Sequence, residues 1–126
     1  MNIPENLYYT KEHEWLKVNG NDGIVGVTDF AQHQLGDIVF IEVNTVGETL
    51  NTGESFGTIE AVKTVSDLFM PVACEIVEFN ETLADQPELV NTDPYNAGWI
   101  VKVKLSDPGQ VAAMLTPSQY KELIEA

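Results

Sequence analysis

Ser55-Phe56-Gly57-Thr58-Ile59-Glu60-Ala61-Val62-Lys63-Thr64-Val65-Ser66-Asp67-Leu68-Phe69-Met70-Pro71-Val72 reads as two strands joined at a tight tip. Ser55 to Ala61 and Val65 to Val72 each carry β-branched and aromatic residues, and the turn between them falls at Lys63. A side chain at such a tip is exposed and held on a rigid platform. Lys63 is also isolated, being the only Lys or Arg between Val18 and Val101.

Further strands are expected on both sides of this hairpin, at Glu14 to Val18, Gly23 to Val27, Ile38 to Val43, Glu75 to Phe79 and Trp99 to Leu105. In the last, Trp99, Val101, Val103 and Leu105 share one face and Ile100, Lys102 and Lys104 the other. Asn19-Gly20-Asn21-Asp22-Gly23 predicts a hairpin turn between the first two. Three helices are expected. Thr28 caps one that stops at Gly36, Asp107-Pro108 opens a second with Val111 and Leu115 on one face, and the capping box Thr116-Pro117-Ser118-Gln119 opens the third. Pro87 starts a further single turn. Gly47 to Asn51 resembles Asn80 to Ala84, which suggests two turn-and-strand units with approximate twofold symmetry. The fold class expected is mainly β, with short flanking helices and a single domain over residues 1–126.

A chain of 126 residues buries enough surface to fold without disulfide staples, and Cys74 is its only cysteine. Twenty acidic residues face six lysines and no arginine, a net charge of -14. Such a surface cannot neutralise phosphates, so nucleic acid and anionic membranes are excluded as partners. It suits solubility, or steering toward partners with basic docking faces. No apolar stretch approaches the ~20 residues of a membrane span, and Met1 to Lys11 lacks the pattern of a secretion signal. A monomeric cytoplasmic protein is the expectation.

Chemistry-bearing clusters are few. Glu12, His13 and Glu14 would alternate faces on a strand and not converge on a metal, and His33 has no visible partner, so no metal site is expected. Ser55, Ser66, Ser106 and Ser118 lack a nucleophile elbow, and the glycines form no phosphate loop. Cys74 reads as a half-buried structural cysteine. His13 and Trp15 read as packing or hydrogen-bonding residues and Trp99 as core. By position alone, Lys63 reads as a solvated lysine or a guard of a sheet edge. Its presentation equally suits post-translational acylation, in which an enzyme must reach the amine and the product must swing freely.

The neighbours of Lys63 decide between these. Glu60-Ala61-Val62-Lys63-Thr64-Val65-Ser66-Asp67 resembles the lipoylation motif of the glycine cleavage H-protein family. Tyr9 to Trp15, Gly26 to Gln32, Leu35 to Val39, Pro87 to Asn91, Asp93 to Tyr95, Gly98-Trp99 and Leu105 to Pro108 are similar to its other blocks, in order and over nearly the whole chain. Biotin carriers flank their lysine with methionines, and lipoyl domains of the 2-oxo acid dehydrogenases place Asp before it. Val62 and Thr64 stand at those positions here. Cys74 departs from the family, which has glycine there.

The resemblance implies a barrel-sandwich hybrid of the lipoyl and biotinyl carrier type, with lipoic acid joined by an amide to Lys63. Glu60, Ser66 and Asp67 would frame that lysine for the attaching enzyme. It implies a carrier with no catalytic centre, which moves the aminomethyl group of glycine from a pyridoxal-phosphate glycine decarboxylase to a folate-dependent aminomethyltransferase. Dihydrolipoamide dehydrogenase then reoxidises the arm, and lipoate-attaching enzymes install it. Other readings are a lipoyl donor in cofactor relay, an unmodified interaction module that keeps the fold and, last, an enzyme with Cys74 as nucleophile.

Overall fold

The structure is a computed structural model that describes residues 2–125. Among the described residues, nine strands form two antiparallel sheets. The larger sheet contains β1 (Tyr8–Tyr9), β2 (Glu14–Asn19), β3 (Asp22–Val27), β5 (Thr49–Leu50), β8 (Cys74–Phe79) and β9 (Val101–Leu105), in the order β1-β2-β3-β9-β8-β5. The smaller contains β4 (Ile38–Glu42), β6 (Ser55–Ala61) and β7 (Val65–Phe69), in the order β4-β6-β7. The inner faces of both sheets meet in one apolar cluster that includes Leu16, Val25, Phe56, Ile59, Leu68, Ile76 and Val103. A second, smaller cluster of Leu7, Tyr9, Trp15 and Tyr120 lies outside it.

Local sequence explains most of the elements. In β9, Val101, Val103 and Leu105 are buried while Lys102 and Lys104 are exposed, the period of two of a sheet with one wet face. The two residues Gly20-Asn21 close the β2–β3 hairpin, and Gly20 takes the positive φ of 63° that such a turn requires. Thr28 caps α1 (Asp29–Leu35) by accepting from the Ala31 N–H, and Gly36 ends it at φ 83°. The Thr116 box opens α4 (Pro117–Glu125): the Gln119 N–H donates to Thr116 Oγ1 and the Thr116 N–H to Gln119 Oε1.

Several expectations need correction. β9 begins at Val101, so the alternation read from Trp99 does not extend that far. Ile100 is fully buried, whereas Trp99 is half-buried with the Lys102 ammonium 5.1 Å from its ring centroid. β4 and β7 stop at Glu42 and Phe69, short of Val43 and Val72. β1 and β5 have two residues each, too few for an alternation to show in sequence. The two similar pentapeptides differ in structure: Thr49–Leu50 is strand, while Thr82–Asp85 is the helical turn α2. The turn expected at Pro87 is α3 (Leu89–Thr92). Asp107-Pro108 opens a 3₁₀ helix, Pro108–Ala113, and Leu115 lies beyond it, exchanging backbone hydrogen bonds with Tyr9.

Candidate functional site

The β6–β7 hairpin turns through Val62, Lys63 and Thr64. The Ala61 N–H donates to the Thr64 carbonyl at 2.8 Å and closes the turn. The Val62 N–H donates to the Asp37 carbonyl at 3.1 Å, which ties the tip to the start of β4. Lys63 is exposed. Among the described residues the one ion pair is Lys102 with Glu78, at 3.9 Å on the other sheet, so the Lys63 ammonium has no carboxylate fixing it.

Register separates the three residues expected to frame Lys63. Phe40 pairs with Glu60 and Glu60 with Val65, so these three form a row on one face. The next row is Glu42, Thr58 and Asp67. Since Ile59 and Ala61 point into the core, both rows lie on the outer face. Glu60 and Asp67 therefore share a surface. Ser66 pairs with buried Ile59 and belongs to the opposite face of β7, although both it and Asp67 line a cleft with Glu12, Glu14, Gln34 and Leu68. Phe40 was not singled out from sequence, because nothing in Asp37 to Glu42 shows that β4 lies beside β6.

Glu14 was weighed from sequence only as a metal ligand, and its burial was not foreseen. It opens β2 in the larger sheet, yet it is only 2% exposed. Thr10 Oγ1 donates to its Oε1 at 2.8 Å, and the Phe69 N–H of β7 donates to its Oε2 at 3.3 Å. Its carboxyl group thus bridges the two sheets. Burial pushes its pKa up to about 8, against the hydrogen bonds that favour the ion. The signal available in sequence was its position directly before the apolar pair Trp15-Leu16 at the start of a strand.

The Glu12-His13-Glu14 segment is corrected in geometry. His13 lies in a turn with φ 71°, its N–H donating to the Thr10 carbonyl, so these residues do not alternate as on a strand. His13 Nδ1 lies 2.8 Å from the Tyr120 hydroxyl and its ring stacks obliquely on Phe30. Burial lowers its pKa. Among the described residues no three His, Cys, Asp or Glu side chains are grouped to hold a metal ion.

Cys74 is fully buried rather than half-buried. Its thiol donates toward Met70 Sδ at 3.2 Å and the Val72 carbonyl at 3.3 Å, and burial pushes its pKa up to about 12. Its backbone does not take a positive φ. These surroundings hold it as a thiol in the core, not as a thiolate nucleophile.

The arrangement is a reachable amine on a rigid hairpin, the kind of group an acyl chain can be joined to. Residues 7–126 match the family model described as glycine cleavage H-protein. The chain is 56% identical to the glycine cleavage system H protein of Bacteroides thetaiotaomicron over 98% of both chains, and 53% identical to that of Bacteroides fragilis over the full length of both. It superposes on the crystal structure of a glycine cleavage system H protein from Mycobacterium marinum with a TM-score of 0.89 and 40% identity, covering 98% of this chain and all of that one. An exposed, unpaired Lys63 on a two-sheet β fold and full-length similarity lead to one conclusion: the chain belongs to the glycine cleavage H-protein family, the lipoyl carriers of the glycine cleavage system.

Proposed function

We propose that Lys63 is the residue that bears lipoic acid, and that the chain is a single non-catalytic carrier domain. The observation that carries this reading is the placement of one unpaired lysine at the β6–β7 tip, in a span from Val18 to Val101 with no other cation. No buried side-chain polar atom among the described residues is left without a partner, so nothing in the interior calls for an inserted group. The fit for the cofactor is therefore at the surface. Once attached, lipoic acid supplies a dithiolane that accepts, carries and releases the aminomethyl unit of glycine.

The chain's own residues supply reach and presentation. The Ala61–Thr64 and Val62–Asp37 hydrogen bonds keep the tip from fraying, so Lys63 is offered in one place. Attachment requires the ammonium to lose a proton. Its nitrogen then forms a bond to the acyl carbon of an activated lipoyl ester, while the bond from that carbon to its oxygen leaving group breaks. The nitrogen loses a second proton and no redox change occurs. Tethering then raises the effective concentration of the carried group at each partner. The partners in this reading are the pyridoxal-phosphate glycine decarboxylase, the folate-dependent aminomethyltransferase, dihydrolipoamide dehydrogenase and the lipoate-attaching enzymes, met by a monomer in the cytoplasm.

Peptide mapping of the protein purified from its native host tests the assignment. One lipoyl group on the peptide containing Lys63 is expected. Lipoate on Lys11, Lys17 or Lys102 instead would refute it.

A further inference from the structure

Three side chains from separate parts of the chain meet in one line of hydrogen bonds. His13 Nδ1, in the turn before β2, lies 2.8 Å from the Tyr120 hydroxyl of α4. That hydroxyl lies 2.7 Å from Oγ1 of Thr28, the cap of α1. Tyr120 and Thr28 are both 0% exposed, so water reaches neither hydroxyl. The Ala31 N–H donates to Thr28 Oγ1, and the Thr28 N–H donates to the His13 carbonyl. His13 itself sits at φ 71°, a left-handed conformation that a non-glycine residue keeps only when its surroundings hold it. Among the described residues of α4 only Tyr120 is buried, so this side chain is the helix's main anchor.

The available protons fix the direction of the line. It has two contacts, and its two hydroxyls bring one proton each. With Nδ1 bare, Tyr120 donates to His13 and Thr28 donates to Tyr120, and both protons have acceptors. With a proton on Nδ1, that nitrogen donates to the Tyr120 oxygen instead. The remaining contact then takes one hydroxyl proton, and the other is left in a dry site, since neither hydroxyl has a further acceptor among the described residues. The site therefore suits neutral His13 protonated at Nε2. It does not suit imidazolium, which donates from both nitrogens. We infer that His13 is an acid-sensitive latch: protonation of its ring breaks the Thr28–Tyr120–His13 line and loosens α4 from the body, whatever Lys63 carries.

The groups around the ring bear on its charge. Glu12 and Glu14 flank it on its own turn, and Asp67 of β7 lines the same cleft. α1 brings the uncharged Phe30 and Gln34, and Lys121 of α4 lines a different groove, beside Phe30. Burial lowers the His13 pKa and outweighs Glu12, which acts the other way. Glu14, with a pKa of about 8, keeps its proton throughout the range in which His13 titrates. Tyr120 and Tyr9, which stacks on it, are pushed up by burial and stay protonated.

Hydrogen exchange of the full chain, read by mass spectrometry at about pH 7 and about pH 5.5 and corrected for the intrinsic rate, tests the latch. Amides of α4 should lose about tenfold in protection at the lower pH, the scale of one stranded buried donor, while those of β9 keep theirs. His13→Asn tolerates a positive φ, offers an oxygen to the Tyr120 hydroxyl and does not titrate, so its α4 should be equally protected at both pH values. Tyr120→Phe keeps the ring but not the hydroxyl, and its α4 should be equally loose at both. Nitrogen-15 spectra of the wild-type ring at neutral pH should show Nδ1 bare and Nε2 protonated. Wild-type α4 protection that does not change with pH overturns the inference. So does a loss of wild-type size in His13→Asn, or in Tyr120→Phe should the asparagine variant not fold. A proton on Nδ1 at neutral pH overturns it as well.

Discussion

The outer face of the six-stranded sheet interleaves its charges. Lys104 stands between Asp22 and Glu75, and Lys102 lies beside Glu78. The outer face of the three-stranded sheet has no such compensation: Glu42, Glu60 and Asp67 sit among Phe40, Val65 and Thr58, with Lys63 at the rim. The difference is not one of stability. A half-exposed pair such as Lys102–Glu78 contributes at most about 1 kcal/mol. What the interleaved face gains is neutrality. The lysines of β2 and β9 offset their neighbours, and the net charge of -14 is left to the rest of the surface. Three of the six lysines are thereby placed on the sheet opposite the one that carries Lys63.

The largest expected effect tests whether lysines on the two sheets are interchangeable. Lys63→Arg should abolish lipoyl attachment, because a guanidinium does not form the amide, while stability changes by less than about 0.5 kcal/mol as for other exposed substitutions. Lys17→Arg, Lys102→Arg and Lys104→Arg should gain the lipoyl mass as wild type does. Intact mass spectrometry after ligase treatment reads all four. Modification of Lys63→Arg at another lysine would show that the hairpin is not the recognised feature.

Next in size is the link between the sheets. Glu14 has a folded pKa of about 8, above its ordinary value, so the folded chain holds a proton that the unfolded chain releases. Its contribution is fully present below about pH 4.5 and is lost as pH rises through 8. His13, whose folded pKa is lowered, acts in the opposite direction, removing stability as pH falls below its ordinary 6.5. Between pH 6.5 and 8 the Glu14 effect is therefore the clearer of the two. Denaturant unfolding across that window should show stability falling with pH, by on the order of 1 kcal/mol per pH unit where the group titrates fully. Glu14→Gln should flatten the slope. A slope unchanged by Glu14→Gln would place the pH dependence elsewhere.

A contrast of similar size concerns the two outer faces directly. Gly26 pairs with Trp15, and a Cβ at Gly26 would meet the indole at 2.6 Å. That ring is held by its N–H donating to the Pro94 carbonyl at 3.1 Å, so it cannot withdraw freely. Gly26→Ala should destabilise by about 2 kcal/mol through overpacking. Glu60→Ala on the open face should stay within about 0.5 kcal/mol. Urea midpoints compare the two.

What could be read in advance follows the same division between local and long-range causes. The Gly20 turn, the Thr28 cap, the Thr116 box and the alternation of Val101, Val103 and Leu105 are local, and each appears where expected. Lys63 at its tip was legible for the same reason. The sharing of a face by Phe40, Glu60 and Val65 was not, because it depends on β4 pairing with β6 across a bulge between Ile38 and Phe40. Nor was the burial of Glu14, which needs β7 of one sheet to lie against the start of β2 in the other. Trp99 and Ile100 exchanged roles because the strand pattern was carried two residues past where the backbone leaves the sheet.

The smallest prediction asks whether the two sheets can be perturbed separately. Helix α4 packs on the six-stranded sheet: Tyr120 stacks on Tyr9 with ring centroids 4.7 Å apart, and its hydroxyl lies 2.7 Å from Thr28 Oγ1. Thr116 meets Tyr120 only through its backbone carbonyl, which accepts the Tyr120 N–H at 2.9 Å, and its side chain holds the helix N-terminus, where Thr116 Oγ1 accepts from the Gln119 N–H at 3.2 Å. Thr116→Ala removes that acceptor and should lower stability by about 1 kcal/mol, a fall in melting temperature of about 4 °C for a chain of this size. Because the Lys63 hairpin is braced by Asp37 and Thr64 and not by α4, the rate of lipoyl attachment below the melting temperature should be that of wild type. Differential scanning calorimetry paired with the mass-gain assay separates the two effects. A slower attachment in Thr116→Ala would mean that loosening the larger sheet reaches the hairpin, most directly through the Glu14 carboxyl group on the Phe69 N–H, and the independence of the two faces would have to be given up.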